Sequence, residues 1–146
     1  MEICLLSGWG NSPEAMRPLA DLLDRNVKTC IQTAHDYAAS ADSQSKFIGD
    51  CGDGHLLAGW SLGGLIALNL ALQYPRRFKA LIVISTPARF CSAPDYRHGF
   101  SREQLGRLAT QLNTDAKTAL RDFFKLSATP QTSRNDDLER RITQAM

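Results

Sequence analysis

His55-Leu56-Leu57-Ala58-Gly59-Trp60-Ser61-Leu62-Gly63-Gly64-Leu65-Ile66 decides the reading of this chain. Its first half, His55 to Trp60, is a short apolar run with the pattern of a strand buried on both faces. Leu62 to Gln73 then keeps a helical pattern until Tyr74-Pro75 ends it. Ser61 falls on the turn between them, inside Gly59-Trp60-Ser61-Leu62-Gly63. A bare G-x-S-x-G is common enough that chance gives about one match in twenty chains of this length. Its place on a strand-to-helix turn is what carries information. A turn this sharp strains the backbone of its central residue and leaves no room for side chains on its flanks, hence the glycines. It lifts the Ser61 hydroxyl above the sheet at the positive end of a helix, where negative charge is favoured. The competing reading is a glycine-rich turn whose serine only caps the helix.

Working outward, Ile3 to Leu6 is a first buried strand, stopped by Ser7-Gly8-Trp9-Gly10. Ser12-Pro13 supplies a helix start, and Met16, Leu19, Ala20, Leu22 and Leu23 keep a helical stripe to about Arg25. Val27 to Ile31 predicts a second strand, Ala38 to Phe47 a helix, and Gly49 to Gly54 a loop. Phe78 to Ser85 predicts a fourth strand. Strands alternating with helices in this way imply a parallel sheet covered on both faces. After Thr86-Pro87 the character changes. Arg89 to Phe100 is irregular and polar, and Ser101-Arg102-Glu103-Gln104 is a capping-box pattern ahead of Leu105, Leu108 and Leu112. Further helices are expected over about 115–126 and from Arg134 onward. The division expected is therefore 1–88, a sheet core, and 89–146, a helical lid.

Composition sets the outer limits. The chain has 146 residues, 43% hydrophobic and 22% charged, which fits an ordinary globular domain. No run approaches the ~18 apolar residues of a membrane helix, and the first residues lack a signal peptide's basic region, so a cytoplasmic protein without membrane contact is expected. Seventeen Lys and Arg against fifteen Asp and Glu gives no electrostatic case for nucleic acid. Cys4, Cys30, Cys51 and Cys91 are scattered, with neither C-x-x-C nor zinc-ligand spacing, so free thiols and no metal are expected. Gly49 to Gly54 matches no nucleotide-binding glycine pattern.

Ser7-Gly8-Trp9-Gly10 leaves the carboxyl end of a strand expected to neighbour the Ser61 turn. Two glycines there let backbone approach a ligand, so the Trp9 N–H can join the Leu62 N–H in an oxyanion hole. An ordinary turn with Trp9 as packing is the alternative.

Leu5-Leu6-Ser7-Gly8-Trp9-Gly10 together with Ala58-Gly59-Trp60-Ser61-Leu62-Gly63-Gly64-Leu65 and a helix ending Tyr-Pro resembles the α/β-hydrolase superfamily. Pro87-Ala88-Arg89-Phe90, Asp95-Tyr96-Arg97-His98-Gly99 and Asp122-Phe123-Phe124-Lys125-Leu126-Ser127 narrow the resemblance to the pimeloyl-acyl-carrier-protein methyl ester esterases of biotin synthesis. The resemblance implies an α/β-hydrolase fold, a parallel sheet with helices on both faces plus a helical cap, the strands in spatial order 2-1-3-4. It implies ester hydrolysis through an acyl-enzyme on Ser61, with no cofactor and an acyl-carrier protein as partner of a monomeric enzyme. By position, Trp9 and Leu62 would supply oxyanion amides and contact substrate, and Phe123 and Leu126 would line the acyl-chain channel. Arg121, Arg134, Arg140 and Arg141 would present a basic face to the carrier protein, or simply a solvated helix face. Another small-ester or thioester hydrolase is the nearest alternative.

Two positions depart from the family pattern: Ser7 replaces a histidine and Ser127 a glutamine. A larger departure is the relay. The family places its acid and histidine beyond the cap, so by this resemblance the chain ends within the cap and lacks the C-terminal strands. No histidine follows His98. His35-Asp36 has the wrong chain order for the relay, and His55 begins a strand at the opposite end of the sheet. A serine hydroxyl is a weak nucleophile without its imidazole, whose loss costs on the order of 10⁶ in turnover in subtilisin. A truncated, non-catalytic fragment or an acyl- or partner-binding protein is the corresponding alternative. A last strand left at the sheet edge would also be an aggregation site.

Overall fold

The computed structural model describes residues 1–23, 26–38, 40–127 and 135–146. It divides into two compact units, Met1–Ala88 and Arg89–Met146.

The first unit is built on β1 (Glu2–Leu6), β2 (Lys28–Gln32), β3 (His55–Trp60) and β4 (Phe78–Ile84). All neighbours are parallel, in the order β2-β1-β3-β4. Alternation along β1 divides its side chains between two cores, because successive residues of a strand face opposite sides. Cys4 and Leu6 join Leu57, Phe47, Cys51, Ala67 and Leu70 on one face. Ile3 and Leu5 join Met16 and Ala58 on the other, packed by Leu19 and Leu23. Leu5, Leu6, Leu57 and Leu70 are fully buried, each stabilising the fold by about 1.5–3 kcal/mol.

The helices that cover these faces are α1 (Arg17–Leu22), α2 (Ala34–Ala38), α3 (Ala41–Asp50) and α4 (Leu62–Gln73). They depart from expectation in three places. The helix expected over Ala38 to Phe47 is replaced by two, α2 ending at Ala38 and α3 beginning at Ala41 after the Ser40 cap. The first helix begins as a 3-10 turn, Pro13–Met16, before α1. Gly49 and Asp50, expected in a loop, are the last residues of α3. The cause lies far along the chain: the Arg77 guanidinium donates to the carbonyls of Ile48 (2.5 Å) and Cys51 (3.1 Å) and so closes the helix end. Ser40 caps the other end of α3 by accepting from the Ser43 amide at 3.0 Å.

Among the described residues β4 pairs only with β3, and Ile82 and Val83 on it are 45% and 51% exposed. Leu72 of α4 is 72% exposed.

The second unit holds α5 (Arg102–Thr114), α6 (Ala116–Ser127) and α7 (Asn135–Ala145). The capping box forms at α5: Ser101 accepts from the Gln104 amide, and the Gln104 side chain accepts from the Ser101 amide. α6 packs on both α5 and α7, with Ala119, Leu120, Phe124 and Ile142 buried. Arg121 ties α6 to α7 through Glu139 (2.6 Å), and the Arg141 guanidinium lies 4.2 Å from the centre of the Phe124 ring. The start of the last helix expected at Arg134 falls outside the described residues. Among the described residues, no helix is long and apolar enough to cross a membrane.

Candidate active site

Ser61 sits between β3 and α4 with φ 56° and ψ −120°, a conformation that L side chains avoid. The backbone around it holds that geometry. The Ser61 amide donates to the Ile84 carbonyl of β4 (2.9 Å), and the Ser61 carbonyl accepts from the Gly64 and Leu65 amides. The Ser61 side chain does not cap its own helix, so the capping-serine reading fails. Leu62 is the first helical residue, and amides of a first turn have no carbonyl one turn back to bond.

The flanking glycines are sterically required. A Cβ on Gly59 would lie 2.3 Å from the Gly63 carbonyl oxygen, and one on Gly63 would lie 2.5 Å from the carbonyl oxygens of both Leu6 and Ser7. The second contact presses the start of α4 onto the end of β1. The β1 exit loop therefore lies against the turn: a Cβ on Gly8 would meet the Ser61 Cβ at 3.2 Å. That loop is braced by Ser7, fully buried, whose hydroxyl donates to the Asn11 carbonyl (3.0 Å) and whose amide donates to Gln32 (3.0 Å). Asn11 in turn donates to the Trp9 carbonyl at 2.9 Å. Ser7, Gly8, Trp9, Ser61 and Leu62 thus gather at the carboxyl ends of β1 and β3.

A family model described as alpha/beta hydrolase fold matches residues 6–135. The chain belongs to the alpha/beta hydrolase fold family. Among relatives, the pimeloyl-acyl-carrier-protein methyl ester esterase of Wigglesworthia glossinidia brevipalpis is 35% identical over 85 residues, 58% of this chain and 32% of that protein. The protein of the same name from Vibrio campbellii is 25% identical over 146 residues, covering 94% of this chain and 57% of that one. This hydrolase-family chain thus spans between about a third and somewhat over half of the curated relatives it matches. Among solved structures, an esterase from Exiguobacterium antarcticum superposes with a TM-score of 0.78 at 17% identity, over 99% of this chain and 60% of its own. A hydrolase from Oleispira antarctica gives 0.76 at 14% identity, over 99% and 59%. Those two share the fold.

Within the first unit, no described histidine bonds to Ser61. His55 lies at the opposite end of β3, about 20 Å away by strand rise, and its Nε2 pairs with Glu2. His35 is exposed on α2, the helix that follows β2, and lines a cleft with Asp36, Lys46 and Asp50. His98 belongs to the second unit, where its ring meets Tyr96 edge-on at 5.7 Å. Within that unit Phe123 is half-buried against Phe124, whereas Leu126 is 82% exposed. Arg121 is held by Glu139, Arg141 lies over Phe124, and Arg134 is outside the described residues, as is the Ser127 side chain. Among the described residues, no three His, Cys, Asp or Glu side chains could hold a metal together.

Sequence reasoning passed over Ser85, which also has positive φ (45°). It follows directly on Ile84, whose carbonyl accepts from Ser61, so two strained serines end neighbouring strands. Nothing in Ile-Ser-Thr-Pro signals it, since serine is an ordinary strand-end residue.

Proposed function

We propose that Ser61 is the nucleophile of a carboxylic ester hydrolase acting on pimeloyl-acyl-carrier-protein methyl ester in biotin synthesis, in the cytoplasm. The observation that carries this reading is the strained backbone of Ser61 between Gly59 and Gly63, with the Gly8 loop pressed against it. Strain of this kind costs about 1–3 kcal/mol and persists where function requires it. The Ser61 hydroxyl would attack the ester carbonyl, and the Leu62 and Trp9 amides would donate to the resulting oxyanion. Methanol leaves, an acyl-serine remains, and water releases the free carboxylate. Residues 89–146 would serve as part of a cap, with Phe123 and Leu126 contacting the acyl chain. The relatives' name supports this substrate.

Turnover requires a histidine and an acid at Ser61, and neither His35 nor His55 is placed there. The placement of His55 beside Glu2 and of His35 in a separate cleft favours a second reading, in which these 146 residues bind an acyl chain or a partner without turnover. Methanol release from the methyl ester by the product of the complete reading frame tests the first, with Ser61→Ala as control. Loss of turnover in Ser61→Ala is the expected result. Equal turnover in that variant, or preference for acyl thioesters, would overturn it. Failure of a fluorophosphonate probe to label Ser61 in the product of the complete frame would instead favour binding without turnover.

A further inference from the structure

Three of the four cysteines converge in the core, although they stand far apart in the chain. Cys51 follows α3, and its thiol donates to the Cys4 sulfur in β1 at 2.8 Å. Both are fully buried among Leu6, Phe47, Leu57, Ala67 and Leu70. Cys30 is the register partner of Cys4 on the adjacent strand, so the two side chains share a face, and their thiols interact. Cys30 is only half-buried, and the Gln32 side-chain amide donates to its sulfur at 3.7 Å. All four thiols are free in this structure.

From this geometry we infer that Cys4 and Cys51 are an oxidisable pair that closes to a disulfide, with Cys30 as the point where oxidant enters. The oxidant class is a hydroperoxide, small enough to reach a half-buried sulfur. The Cys30 thiolate attacks the peroxide oxygen, the O–O bond breaks, and water leaves a sulfenic acid. The Cys4 sulfur then displaces the hydroxyl, which takes the Cys4 proton and leaves as a second water, giving a Cys4–Cys30 disulfide. Cys51, in contact with Cys4, displaces Cys30 from it and passes its proton to the departing sulfur. The balance is two thiols and one hydroperoxide giving one disulfide and two waters (or one water and an alcohol). Two electrons pass from the thiols to the O–O bond.

The adjoining Cys51 sulfur, with burial, pushes the Cys4 thiol far above the ordinary range, which keeps it protonated and unreactive by itself. That is the physical reason an entry thiol is needed. The closed bond would tie the end of α3 to β1, three residues before the loop at Ser7. This inference does not rest on the esterase reading.

The test uses the reduced 146-residue chain, treated with hydrogen peroxide and then alkylated in denaturant. Trypsin separates the sites, with Cys4 in peptide 1–25, Cys30 in 29–46, Cys51 in 47–76 and Cys91 in 90–97. The expected product joins 1–25 to 47–76, leaves Cys30 alkylated, and is abolished by dithiothreitol. It forms unchanged in Cys91→Ser and more slowly, by severalfold, in Cys30→Ser. The joined protein should melt higher, by roughly 5–15 °C. Alkylation of both Cys4 and Cys51 after oxidation of the folded wild-type chain would overturn the proposal, as would a bond from Cys91 to any partner in their place. Undiminished rate in Cys30→Ser would overturn the entry role, and a bond without a rise in Tm would overturn the claim that the native core accommodates it.

Discussion

Replacing Gly63 with alanine places one methyl group where the start of α4 meets the end of β1. Its Cβ would lie 2.5 Å from two backbone oxygens, those of Leu6 and Ser7, against an ordinary contact of 3.4 Å or more. Separation by about 0.9 Å must therefore be found between a helix start and a central strand, neither of which ends in a flexible side chain. Overpacking costs about 1–3 kcal/mol, and fixed backbone neighbours put this case near the upper figure. Alanine returns up to about 1 kcal/mol of helix propensity. The net expectation is a loss of about 2 kcal/mol, a factor near 30 in the folding equilibrium. Gly49→Ala, in α3 of the same unit, is the matched control, because its Cβ would meet nothing within 4 Å. That variant should gain up to about 1 kcal/mol. Urea unfolding of both variants beside the parent, with the slope compared to confirm a common denatured state, gives the two differences directly. Equal stability of Gly63→Ala and the parent would refute the steric account of the turn.

Three further outcomes follow from the same geometry. Ser61→Gly should raise stability by about 1 kcal/mol in thermal melts, since glycine accepts φ 56° while Ser61→Ala keeps the strain; equal melting of the two variants would count against strain at this residue. Arg77→Lys should be destabilised nearly as much as Arg77→Ala, by about 1–3 kcal/mol, because an ammonium cannot donate along both directions to Ile48 and Cys51, and full rescue by lysine would refute the fork. Arg121 holds the Glu139 carboxylate below its ordinary value of 4.5, so that pair's contribution is present above about pH 4.5 and is lost as pH falls through the lower folded value. Glu139→Gln should accordingly flatten the acid limb of a helix melt followed by circular dichroism, and an unchanged limb would place the acid sensitivity elsewhere.

The local elements were legible in the chain because hydrophobic period and turn chemistry are local properties. Apolar runs marked β1, β3 and β4 to within a residue or two, Tyr74-Pro75 marked the end of α4, and Ser101 to Gln104 marked the capping box of α5. Alternation of strand and helix was enough for a parallel sheet, while the order β2-β1-β3-β4 was expected only through the resemblance to the α/β-hydrolases. Gly59 and Gly63 flagged a sharp turn at Ser61, since no other residue type fits flanks that close.

Contacts between distant segments were decided by tertiary packing. Gly49 and Asp50 carry a loop's composition, yet they finish α3 because Arg77, entering from the approach to β4, satisfies the carbonyls that a helix end leaves open. The strain at Ser85, the nearness of Gly8 to Ser61, and the meeting of Cys4, Cys30 and Cys51 belong to the same class. Each depends on how adjacent strands align and how helices press on them, a matter of long-range registry that periodicity along one segment does not encode. By itself the sequence determined which segments are strands and helices and where the backbone must turn sharply. Which side chains meet was decided only when the parallel sheet brought residues as far apart as Cys4 and Leu70 into one core, because close packing there leaves each side chain a single place to go.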